Sequence, residues 1–176
     1  ELDISELSDL LLGADQLSAS TSGTWSEAAF GPPVVSGVDL SLDVSAQRMV
    51  LAPLPPAGNV TARVSLKDDT LSLDVSEAGF AGGKLTGAYT LKRSAGQAGM
   101  TASLRADGAR LEELVWRRSG RPVATGAASI NLDVEGSGRS LSGIISGLAG
   151  GGTVRVENGE IRGLNPDAFA LVIRAV

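Results

Sequence analysis

ASINLDVEGSGRSLSGIISGLAGGGTVRVENGEIRGLN, residues 128–165, changes its hydrophobic period twice. At first Ala128, Ile130, Leu132 and Val134 alternate with Ser129, Asn131, Asp133 and Glu135. A period of two marks a strand with one wet face. Beyond Gly136, Leu141, Ile144, Ile145 and Leu148 recur at i, i+3, i+4 and i+7. That is one stripe of a helix, expected to begin near Ser140 and to end at Gly150–Gly152. Val154 and Val156 then alternate again, and Asn158–Gly159 supplies two residues that tolerate φ > 0, the chemistry of a type I′ hairpin turn. The segment thus reads as strand, short amphipathic helix, then tight hairpin.

Upstream, Leu111, Leu114 and Val115 form a helical stripe over residues 109–118. Glu112 and Glu113 fall in its first turn and Arg117 and Arg118 in its last, both favourable to the helix dipole, with Glu113 and Arg117 at i, i+4. Asp107 is the expected cap and Gly120 the stop. Before it, Met100–Ala106 is a strand, with Ala102 and Leu104 alternating against Thr101, Ser103 and Arg105. At Ala81–Gly82–Gly83 a two-residue loop sets Val75 against Thr90 and Leu73 against Lys92. A three-residue loop sets Val75 against Tyr89 and Leu73 against Leu91; the apolar match favours it, with a left-handed glycine and a bulge.

The pair Asn59–Lys67 and Thr70–Ala78 is better determined. With Asp68–Asp69 as a two-residue turn, Lys67 faces Thr70, Leu66 faces Leu71, Val64 faces Leu73 and Arg63 faces Asp74. A slip by one residue destroys both the apolar and the charged matches, so the register is specified. Before it, Val38, Leu40, Leu42 and Val44 alternate with Asp39, Ser41 and Asp43, and a further strand near Gln47–Ala52 is closed by Pro53, Pro55 and Pro56.

Residues 1–37 read as a short helix and a Ser/Gly/Pro-rich connection, and 38–176 as the sheet, one domain in all. The helix spans about Ser5–Leu12 and stops at Gly13, with a strand start at Leu2–Ile4 as the alternative. Pro32–Pro33 bars regular structure from the connection, and Trp25 within it reads as a plug over a core edge rather than a ligand site. At the far end Asn165–Pro166–Asp167 starts a helix with Phe169, Val172, Ile173 and Val176 as its stripe. The chain begins at Glu1 and ends inside FALVIRAV, so it is expected to be a segment of a longer protein.

Composition narrows the chemistry. Fifteen basic residues against twenty acidic give a charge of −5, which argues against a nucleic-acid partner. Zero His and zero Cys remove the Ser-His-Asp and Cys-His nucleophiles and leave only oxygen ligands for a metal. Asp68–Asp69 and Glu112–Glu113 are adjacent pairs whose side chains diverge, so turn and helix chemistry is their better use. Asp39, Asp43, Asp74, Asp133 and Glu135 lie on polar strand faces without the spacing of a calcium loop. The glycine runs match no phosphate-binding motif, and the row Gly143, Gly147, Gly151 suits close packing on a sheet. No stretch is long enough to be a membrane span. No catalytic residue, metal or cofactor is expected.

What stands out is the sheet. Val64, Leu66, Leu71, Leu73, Val75, Tyr89, Leu91, Leu104, Ile130 and Leu132 keep one phase and are expected to share one apolar face. Residues alone favour an ordinary core, half-buried under its own helices. The alternative is a face left partly open as a groove.

The ordered run of residues 128–165, with GSGRSL before its helix and the VENGEIRGLN return, resembles the C-terminal region of the bacterial AsmA family. The resemblance extends over roughly residues 34–170. It implies a mainly β (α+β) fold: a curved, twisted antiparallel meander with a few short amphipathic helices packed on its apolar face. It also implies an envelope protein of a Gram-negative bacterium, periplasmic and fixed in the inner membrane by an anchor outside this segment. Such proteins are similar to chorein-type bridges, whose apolar groove carries phospholipid toward the outer membrane. The ten residues above would then be a lipid-facing groove and phospholipid acyl chains the ligand. An envelope module that assists outer-membrane protein assembly, with no lipid in the sheet, is the other role implied.

Overall fold

The computed structural model describes residues 1–13, 25–35, 37–51 and 54–162. A two-residue strand β1 (Leu2–Asp3) leads into helix α1 (Ile4–Leu12). Five long strands follow: β2 (Leu40–Leu51), β3 (Leu54–Lys67), β4 (Thr70–Phe80), β5 (Gly83–Ser94) and β6 (Gln97–Arg110). Helix α2 (Leu111–Leu114) and a small ribbon, β7 (Arg117–Arg118) and β8 (Arg121–Pro122), then precede β9 (Ala124–Gly138). Helix α3 (Leu141–Ser146) and β10 (Ala149–Ile161) complete the described chain. The sheet order is β1-β2-β3-β4-β5-β6-β9-β10, open and antiparallel throughout except where β1 runs parallel to β2. The expected C-terminal helix from Asn165 lies outside the described residues.

Turn chemistry explains the meander. Asp68–Asp69, Ala81–Gly82, Ala95–Gly96 and Ser119–Gly120 are two-residue connections with φ between +47° and +79° at both centres. Left-handed centres match the twist of the flanking strands, which is why such turns close hairpins. The β3–β4 register is the one expected: Lys67↔Thr70, Leu66↔Leu71, Val64↔Leu73 and Arg63↔Asp74.

The β4–β5 connection differs from expectation. It is the two-residue turn Ala81–Gly82, and an extra residue enters β4 at Ser76–Glu77 instead, between Val75↔Gly87 and Ala78↔Leu85. Leu73 therefore opposes Tyr89, and Leu71 opposes Leu91. Related irregularities occur at Asn59–Val60 in β3, Asp107–Gly108 in β6 and Asn158–Gly159 in β10. All lie toward the α2 end of the sheet, where such bulges add bend and twist.

Several elements are redrawn by these pairings. Asn158–Gly159 is a bulge inside β10, not a hairpin turn; it faces Gly126, where a Cβ would stand 2.8 Å from the Gly159 Cα. Gly150–Gly152 does not end the helix but pairs with Leu132–Val134, and α3 stops at Gly147. Residues 109–118 are not one helix. β6 runs on through Arg110 to pair with β9, which consumes the first turn, and Arg117–Arg118 pair with Arg121–Pro122. Asp107 consequently pairs with Arg105, and Glu113 pairs with Arg110 rather than Arg117. Gly120 is a hairpin centre. The segments around Val44 and Gln47 are one strand, and Pro55 and Pro56 sit in β3 at the irregularity of its pairing with β2 and beyond the end of its β4 partner, a place where a sheet tolerates proline.

The N-terminal helix begins at an Asp3 cap whose carboxylate accepts from the Ser5 and Glu6 amides, and it ends at Gly13. It lies on the apolar sheet face with Leu11 and Leu12 each 1% exposed. At the other end of the face, α3 is capped by Ser140 and buries Leu141 and Ile144. It approaches β9 closely because Gly138 lacks a Cβ, which would stand 2.6 Å from the Gly143 carbonyl carbon. In the connection, Trp25 is exposed, and the buried aromatic that plugs the core is Phe30.

Candidate functional site

Register places all ten apolar residues on one face. Directly opposed residues in an antiparallel pair point the same way. One row runs Leu42, Val64, Leu73, Tyr89, Ala102, Val134 and Gly150; the next runs Val44, Ala62, Val75, Gly87, Leu104, Leu132 and Gly152. Leu66, Leu71 and Leu91 lie in the row on one side, and Ile130, opposite Ala106 and Val154, lies on the other. Apolar rows thus cross seven strands.

Exposure divides this face. Val64, Leu66, Leu71, Leu73, Val75 and Leu91 are buried, so the face is not open at Leu73, which is 2% exposed. The physical reason is α1, which starts beside Met49–Val50 of β2 and ends where Arg93 of β5 meets the Leu11 carbonyl. Toward β10 the cover thins. Tyr89, Leu104 and Ile130 are half-buried, Leu132 is 39% exposed, and Val154 and Val156 are exposed. On the other flank Leu40 and Leu42 are exposed as well.

Two polar ties hold the cover. The Ser8 hydroxyl lies 2.9 Å from the Tyr89 phenol oxygen, either of which can donate. The Arg93 guanidinium donates to the carbonyls of Leu11, Phe30 and Gly31. Residues 25–35 continue the strap: the Phe30 amide donates to the Arg139 carbonyl at 3.0 Å, and the Ser142 amide to the Ser26 carbonyl at 2.9 Å. Burial raises the Tyr89 phenol above its ordinary value; the Ser8 hydrogen bond opposes the rise and the Asp9 carboxylate adds to it.

Where α1 begins, a cavity of about 130 Å3 opens between Ile4 and the sheet, lined by Met49, Leu73, Val75, Leu85, Tyr89 and Leu104. An apolar void of about 150 Å3 can hold a molecule the size of benzene, so this one has room for a small hydrocarbon group. Depressions of about 350 and 530 Å3 lie on the opposite, wet face and share Thr90, Thr101 and Glu135. On that face Arg63 stands between Asp43 and Asp74 in register, and its hydrogen bond at 2.8 Å goes to Asp43, holding that carboxyl below its usual range. Among the described residues no three metal-ligating side chains converge.

Val154 and Val156 belong to the exposed apolar strip but were missed in the sequence, because reading Asn158–Gly159 as a turn detached them from the face. Arg93 had no sequence signal beyond a cation on the apolar phase of its strand. Among the described residues no helix is long and apolar enough to cross a membrane. No curated protein and no solved structure matches the chain significantly. The AsmA family model matches residues 14–175, nearly the whole length, and the chain therefore belongs to the AsmA family.

Proposed function

We propose that this chain is part of a periplasmic protein attached to the inner membrane of a Gram-negative bacterium. Its apolar sheet face binds or conducts phospholipid acyl chains between the two membranes and so supports outer-membrane biogenesis. AsmA membership points to the envelope. The observation that carries the finer reading is the apolar strip of Leu104, Ile130, Leu132, Val154 and Val156, which continues the buried rows outward instead of giving way to polar residues. Acyl chains need only such a surface, since they make no directional bonds. The role is binding without catalysis, cofactor or metal.

A second reading is a structural module that assists outer-membrane protein assembly. It is favoured by the tight cover over Leu73 and Leu91. Native mass spectrometry with lipid extraction separates the two. The lipid reading expects co-purifying phospholipid, lost in Leu132→Glu with little change in melting. No lipid on the unmodified chain would favour the module.

A further inference from the structure

Trp116 is 75% exposed, the highest value of any large apolar side chain among the described residues. It stands at the base of the β7–β8 ribbon, which forms its own two-stranded sheet apart from the main one. Arg117, Arg118 and Arg121 are exposed beside it, and none is ion-paired among the described residues. No acid occurs between Glu113 and Asp133, in a chain whose net charge is −5. The ribbon is therefore a local concentration of unneutralised positive charge around an exposed indole.

We infer that the β7–β8 ribbon docks on an anionic phospholipid bilayer. The Trp116 ring has an apolar body and a polar N–H, the pairing that settles at the level of lipid headgroups. Three guanidiniums match the phosphates in charge and in fork geometry. A nucleic acid fits less well, because the acidic remainder of the chain repels an extended polyanion. A purely acidic protein patch would leave the indole without use. This contact is separate from the apolar sheet face and holds whether or not that face takes lipid.

The test uses the full chain carrying Trp25→Phe, which leaves Trp116 as the only indole. Vesicles of phosphatidylcholine alone, and of phosphatidylcholine with phosphatidylglycerol, are titrated while tryptophan emission and flotation are followed. Binding with a blue shift is expected only on the anionic vesicles. It should weaken between about 0.1 and 1 M salt, as the screening length falls from about 10 to 3 Å. The triple variant R117Q/R118Q/R121Q should lose on the order of a hundredfold, about fivefold for each arginine. The matching triple lysine variant should keep most of the affinity, and Trp116→Ala should float poorly on the same vesicles. Unchanged melting in each variant separates these effects from misfolding. Equal binding to neutral vesicles, an unaffected glutamine variant, or capture of an acidic protein with no vesicle binding would overturn the inference.

Discussion

The hydroxyl of Ser8, on the N-terminal helix, lies 2.9 Å from the phenol of Tyr89, on the apolar face of the sheet. This contact ties the helix to the apolar face of the sheet, and it reports directly on whether the helix is seated. Tyr89 is the only tyrosine in the chain, so its ionisation can be followed without interference from another phenol.

Burial raises the Tyr89 phenol above its ordinary value of 10.0. The seated protein therefore holds this proton more tightly than the unfolded one does. The resulting stability is fully present below about pH 10 and is lost as pH climbs through the raised folded value. Tyrosinate absorbance should titrate above that of free tyrosine, and Leu11→Ala with Leu12→Ala should bring it back. A midpoint already at the free value in the unmodified protein would mean that the helix is not seated.

Arg93→Lys is expected to loosen the strap even though it keeps the charge. A single ammonium cannot reproduce a planar fork that reaches Leu11, Phe30 and Gly31 together. The loss should be about 1.5–3 kcal/mol in denaturant unfolding, the range for hydrogen bonds to a charged group. Hydrogen exchange should rise first in residues 4–12 and 30–31. Uniform exchange across the sheet would argue against a local tie.

The helix that follows β9 docks through Leu141 and Ile144, each 3% exposed, while Ile145 is only half-buried. Ile144→Ala should cost about 2–5 kcal/mol and Ile145→Ala distinctly less. Equal costs from chemical unfolding would mean that Ile145 is as deeply packed as its neighbour.

Ala95 holds φ at +48° in the exposed turn before Gly96. An ordinary side chain there costs about 1–2 kcal/mol, and asparagine relieves part of it. Ala95→Asn should raise the melting midpoint, because Asn-Gly is a preferred type I′ pair. A lowered midpoint would show that the turn is not of that kind.

Much of this arrangement was legible in the residues. Leu66, Val64 and Arg63 each met a complementary partner only in the observed β3–β4 register, so pairing and phase were fixed together. A bulge was legible at the β4–β5 connection but its place was not, since the extra residue at Ser76–Glu77 shifts the apolar phase from Val75 to Ala78 without a glycine to mark it. The short second helix misled for a related reason. Leu111, Leu114 and Val115 fit a helical stripe, but strand pairing through Ala109 and Arg110 claimed the chain first. As for the site, alternation put the ten residues on one face but could not say which would be covered. That depends on Leu11, Leu12 and Phe30 arriving from distant sequence.

The central claim, that the open part of the apolar face meets lipid, is tested most directly by photo-crosslinking at neighbouring positions on opposite faces. Leu132 and Val154 lie on the apolar face; Asp133 and Thr153 are their sequence neighbours on the wet one. Successive strand residues point to opposite sides. A photoreactive side chain at 132 or 154 should capture phospholipid in the cell envelope, whereas one at 133 or 153 should not. Capture at 133 and 153 as readily as at 132 and 154, or at none of the four, would contradict the account.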